Sequence, residues 1–163
     1  MTIRMPRRWE AHFLRNEAVA ATAVALLLAV WAERGGGGPW LWAGLDANRP
    51  VVYSTAASLA GAFLGFVLAT LAIVSGLNSL PSFRRLRSSS QYPTLWAVFK
   101  LTLRVLAAIV GVSLVGLVAD RDSAPLHWLF YLMTWLVLWG STLTARTIWV
   151  LERVLAIAPA SEG

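Results

Sequence analysis

The chain has no cysteine. Disulfides, thiolate metal sites and thiol redox chemistry are therefore excluded. So are the quinone-coupled disulfide enzymes, which also use a small four-helix membrane bundle. Histidine is scarce as well: His12 and His127 are the only two. The threading derived below puts them on opposite sides of a bilayer, where they cannot share a metal or a proton. No HExxH, GxSxG or Walker sequence occurs, so zinc proteolysis, serine hydrolysis and P-loop chemistry lack their residues. Only 13% of the chain is charged, and no acidic residue lies deep in an apolar stretch. That argues against a proton-coupled exporter of the small multidrug type, which needs a membrane-embedded carboxylate. These absences predict a non-enzymatic chain without a cofactor or metal.

What the chain does have is apolar sequence, 58% of 163 residues. It gathers in four stretches at about 18–33, 51–77, 101–119 and 126–145. Each comes close to the ~20 residues that cross a ~30 Å hydrocarbon core as a helix. A soluble fold would need helices that are apolar all round packed into a very small core. The sequence therefore predicts an all-α, integral membrane bundle of four transmembrane helices, one domain over residues 1–163.

The charges set its orientation. Arg4, Arg7, Arg8 and Arg15 precede the first stretch. Arg84, Arg85, Arg87, Lys100 and Arg104 separate the second from the third, and Arg146 and Arg153 follow the fourth. Arg34, Arg49 and Arg121 are left for the other side, so eleven of fourteen basic residues share one side. Acidic residues split evenly and do not enter the rule. Both ends and the basic loop 78–94 are expected in the cytoplasm, in a bacterial inner membrane. The net charge of +6 is then topological, and not a nucleic-acid footprint. A signal peptide in place of the first span would need a small-x-small cleavage site, and none stands out near Val30, Trp31 and Ala32.

Several local patterns refine this picture. Trp9, His12, Phe13 and Asn16 recur at helical spacing, as a surface helix or as a plain extension of the first span. Gly35 to Gly38 end that span in a turn, and Trp40 and Trp42 follow at headgroup depth. Asp120 to Pro125 is short, so the third and fourth spans form a tight antiparallel hairpin. In the fourth span Thr134, Ser141, Thr142 and Thr144 can hydrogen-bond along or across helices.

The second span carries the clearest packing signal. Ser54, Ser58, Gly61, Gly65, Ala69, Ala72 and Gly76 are all small and form one stripe, with Gly61 and Gly65 a GxxxG step. In lipid, helices associate through close van der Waals contact, which small residues permit. The stripe packs within its own bundle, or it faces a neighbouring subunit or an axis. Lys100 and Arg104 are four apart and share a face near the cytoplasmic boundary. They snorkel to anionic headgroups, or Arg104 pairs with Glu17 or Glu152. Arg84, Arg85 and Arg87 beside Phe83 and Leu86 anchor the loop to anionic lipid or dock a cytosolic protein partner.

The run Ser58, Gly61, Gly65, Ser75 and Gly76, then Leu80, Pro81 and the basic patch, leads to Tyr92, Pro93, Leu95, Trp96 and Phe99. Over residues 55–118 this resembles small bacterial four-span membrane proteins. Some of those are similar to membrane components of anti-phage defence systems. The resemblance implies no catalytic residue. The expected function is a non-enzymatic homo-oligomer in the lipid bilayer, pore-like or membrane-perturbing. The alternative is an accessory subunit that anchors a partner through the basic loop.

Overall fold

The computed structural model describes residues 7–46, 48–77, 92–120 and 125–157, and no strand occurs among them. The described helices are α1 (Arg7–Arg34), α2 (Gly38–Leu45), α3 (Arg49–Leu77), α4 (Tyr92–Ala119) and α5 (His127–Ile157). Four of them contain segments long and apolar enough to cross a membrane: Arg15–Arg34, Arg49–Gly76, Trp96–Ala119 and His127–Glu152. The chain is an all-α bundle with four candidate spans.

Prolines mark the helix starts. Pro39, Pro50 and Pro93 each sit in the first turn of α2, α3 and α4, where the missing N–H costs nothing and φ is already helical. α1 ends at glycine. Gly36 takes a φ of 74°, a left-handed value open to glycine at little cost. The Gly37 amide then bonds the Trp31 carbonyl at 3.2 Å.

The helices run past the expected apolar spans. α4 starts at Tyr92, not near 101, and α5 continues to Ile157, well past 145. Lys100, Arg104, Arg146 and Glu152 therefore lie inside helices. Their backbone hydrogen bonds are made along the helix whatever surrounds it, and their charged heads can reach toward the interface. Residues 92–94 of the expected loop belong to the first turn of α4. The rest of that loop, with Arg84, Arg85 and Arg87, lies outside the described residues. α1 runs unbroken from Arg7, so the N-terminal pattern is an extension of the first span and not a separate surface helix. α2 was not expected. It carries the two loop tryptophans, with Trp40 75% exposed.

The helices pack in the spatial order α3, α4, α5, α1, with α2 against the end of α1. α4 is central, and α3 and α5 flank it while barely touching each other. The buried positions follow alternating steps of three and four residues. On α4 they are Phe99, Thr102, Leu106, Ile109, Ser113 and Gly116, and on α5 Leu129, Met133, Leu136, Gly140, Leu143 and Thr147. On α3 buried Tyr53, Ala60, Val67 and Val74 recur every seven residues, with half-buried Leu64 and Leu71 between them. This is the spacing of knobs-into-holes packing in left-handed bundles. Two glycines serve as holes. A Cβ at Gly116 would overlap the Tyr53 ring, and one at Gly140 would come within 2.7 Å of Ile109 Cδ1. Near the other end of the bundle, the Thr102 and Thr147 hydroxyl oxygens lie 3.0 Å apart and link α4 to α5.

Candidate functional site

The small-residue stripe is exposed along its whole length. Ser54, Ser58, Gly61, Gly65, Ala69, Ala72 and Gly76 all face away from the rest of the protein. A Cβ added at Gly61, Gly65 or Gly76 would meet nothing within 4 Å. At ~100° per residue, the stripe is centred ~150° around α3 from the Tyr53–Val74 seam. The expectation that it packs within its own bundle does not hold for this fold. α4 takes the opposite face, and α3 stands at one edge of the packing order with its narrow face outward.

The sequence reading missed a cluster at the end of the bundle that carries α2. Arg49 opens α3 and Asp120 directly follows α4. Their side chains are 3% and 1% exposed, and Arg49 Nη1 lies 3.1 Å from Asp120 Oδ1. The Tyr53 hydroxyl donates to Asp120 Oδ2 at 2.7 Å, and the Leu126 amide donates to Asp120 Oδ1 at 2.8 Å. Asp120 thus receives donors from α3 and from the residue before α5. Burial pushes its carboxyl up. The Leu126 amide, the Tyr53 hydroxyl and the Arg49 guanidinium outweigh that and hold it below the usual carboxylate range. Arg49 also lies over the Trp42 ring at 5.6 Å, and Trp42 stacks on His127 at 3.9 Å and 8°. A cation over an aromatic face is attracted by the ring quadrupole, so α2 is tied to α3 and α5 at one point. These bonds and ring contacts join α2, α3, the end of α4 and the start of α5 as a clamp.

A second ion pair lies toward the other end. Arg146 Nη2 on α5 sits 2.9 Å from Glu17 Oε1 on α1. The expected pairing of Glu17 with Arg104 is not formed; the fold gives Glu17 to Arg146. α1 packs against α5, and Arg104 belongs to the exposed back of α4. Lys100 is exposed on the same face. Toward the α2 end, α1 and α5 are joined by the Tyr131 hydroxyl to Glu33 at 2.9 Å and Trp135 Nε1 to Thr22 at 3.0 Å.

Between α3 and α5, over α4, runs an apolar groove of about 720 Å³, with Ala56, Leu59 and Phe63 on one wall and Met133, Val137 and Ile148 on the other. Thr134, Ser141 and Thr144 also line it, but each hydroxyl donates to its own helix backbone. The groove therefore offers little to a polar ligand. Thr142 likewise bonds back along its helix, so the expected hydroxyl bonding in the last span is of the local kind. No group of three or more His, Asp or Glu able to hold a metal occurs among the described residues.

The fold defines the class: a helical bundle with four helices able to cross a membrane. Compared with protein-family models, curated proteins and solved structures, the chain matches none.

Proposed function

We propose that the protein is a non-enzymatic, self-associating membrane protein that conducts across or perturbs the bilayer, with copies meeting through the small-residue face of α3. The supporting observation is the exposure of that face from Ser54 to Gly76. In lipid there is no hydrophobic gain from hiding it, so its value is close backbone contact with another helix. An ion path would run between copies, because the groove within one copy is apolar. The excess of Lys and Arg favours an inner membrane with both ends in the cytoplasm. The resemblance to membrane components of anti-phage systems adds an effector role to the proposal.

The test is subunit number by native mass spectrometry in a mild detergent, alongside dye release from liposomes. The wild type should give a defined oligomer and release dye. Gly65→Leu places a branched side chain in the middle of the face and should reduce both to the level of a monomer. An unchanged oligomer and unchanged release in that variant would refute the role of this face.

A further inference from the structure

The fold treats its basic residues at membrane depth unequally. Arg49 is paired with Asp120 and Arg146 with Glu17. Lys100 and Arg104 are exposed on α4, and no carboxylate among the described residues pairs with either. Arg104 lies 15 residues before Ala119, the last residue of α4, which is ~22 Å along the helix axis. Against a hydrocarbon core of ~30 Å, its backbone sits inside the far boundary and that of Lys100 lies close to it. An ionised side chain at such depth reaches for the headgroup region or for a counter-charge. Both side chains point away from the bundle, toward the surrounding lipid, whose headgroups can supply that charge.

The surface beside them is shaped for the rest of such a partner. Ala107, Ala108 and Gly111 continue the same face toward the middle of α4 and are exposed. A Cβ at Gly111 would meet nothing within 4 Å. Beyond them the face rises again at Leu114 and Val115, which are 54% and 55% exposed. The result is a shallow bed about one and a half turns long between a basic pair and an apolar ridge.

We propose that this face of α4 binds an anionic glycerophospholipid. The phosphate sits between the Lys100 ammonium and the Arg104 guanidinium, and an acyl chain lies over Ala107, Ala108 and Gly111. The guanidinium fork suits two phosphate oxygens at once, and the ammonium adds a point charge. Zwitterionic lipids carry the same phosphate with a cation attached, so net negative charge is what the pair selects. This inference is independent of self-association, because it uses the outward face of α4 and not that of α3.

The experiment is native mass spectrometry of the detergent-solubilised full chain, titrated with phosphatidylglycerol or phosphatidylcholine. The wild type should retain phosphatidylglycerol preferentially. Each of Lys100→Gln and Arg104→Gln should lower that preference ~5-fold, and the double variant on the order of 25-fold. Arg34→Gln, at the other end of the bundle, should leave it unchanged, and Gly111→Leu should weaken retention by filling the bed. The single variants carry the test should the double variant fail to fold. The proposal is overturned if the preference survives both single variants, or if Arg34→Gln lowers it equally. It is also overturned if the variants change subunit number and not lipid retention, which would make the face a contact between copies. Subunit number is read in the same spectra, so failure here is distinguishable from failure of the α3 interface.

Discussion

Replacing Asp120 by Ala should cost ~3–5 kcal/mol of bundle stability, the usual penalty for leaving one member of a buried ion pair without its partner. Three donors converge on this carboxylate: Arg49 at 3.1 Å, Tyr53 at 2.7 Å and the Leu126 amide at 2.8 Å. Each hydrogen bond to a charged group is worth ~1.5–3 kcal/mol taken alone, but they share one acceptor and do not add. The largest single loss is the isolation of Arg49, whose side chain is 3% exposed and cannot rehydrate without moving. Replacing both residues, Asp120→Leu with Arg49→Met, removes the charges together and should recover most of the loss, since well-packed apolar pairs often match buried ion pairs. The assay is equilibrium unfolding in mixed micelles by added denaturing detergent, followed by far-UV dichroism and run as a full double-mutant cycle. A loss below ~1 kcal/mol for Asp120→Ala would mean that the pair behaves like an exposed surface pair. A double variant as unstable as the single would show that the donors, and not the charge balance, carry the stability. Either result would refute the reasoning.

Two further outcomes follow from the same end of the bundle. The Asp120 carboxyl is held below its ordinary value of 3.8, so its contribution is fully present above that value and is lost as pH falls through the lowered one. Thermal midpoints should drop in acid for the wild type and drop less for Asp120→Asn; parallel acid profiles would exclude this carboxylate as the source. Gly116→Ala should destabilise by ~1–3 kcal/mol through overpacking, because its Cβ would collide with the Tyr53 ring that the Asp120 bond holds in place. Gly61→Ala, in open space, should stay within ~0.5 kcal/mol for the monomer, and equal losses for the two in paired unfolding curves would contradict the fold.

The spans were legible because a hydrocarbon core imposes a length, and four apolar stretches meet it. Their ends were less legible. Lys100, Arg104 and Arg146 read as boundary markers, yet a helix continues through them, since the helix needs only its own backbone bonds. The α4 and α5 seams were present in the sequence but hidden, because periodicity shows only by contrast and these spans are apolar on nearly every side. The α3 stripe stood out for the opposite reason, since small residues contrast with Leu, Val and Phe. What the stripe faces could not be read, because that depends on which side of α3 receives α4. The clamp joins residues 71 positions apart, through a side chain that looked like a loop residue. Its one local signal was an arginine and an aspartate, each directly at the end of an apolar run. Pairing Glu17 with Arg146 in place of Arg104 likewise required knowing that α1 packs on α5.

α3 separates two demands that usually compete on one helix. Its Tyr53–Val74 face fits into α4, with Gly116 receiving the Tyr53 ring. Its Ser54–Gly76 face is exposed, and a Cβ at Gly61, Gly65 or Gly76 would meet nothing within 4 Å. A glycine-rich face facing lipid carries a cost, because each glycine gives up more backbone freedom on folding than any other residue. Alanine or leucine there would make a more stable isolated helix. Packing within the bundle does not require that sacrifice at Gly61, Gly65 or Gly76, since nothing within 4 Å would meet a Cβ at any of them. On the proposed self-association, this face is kept open for close approach of a second helix, and substitutions on the two faces should sort cleanly. Those at the Tyr53–Val74 seam change unfolding of the monomer, and those on the glycine face change association alone.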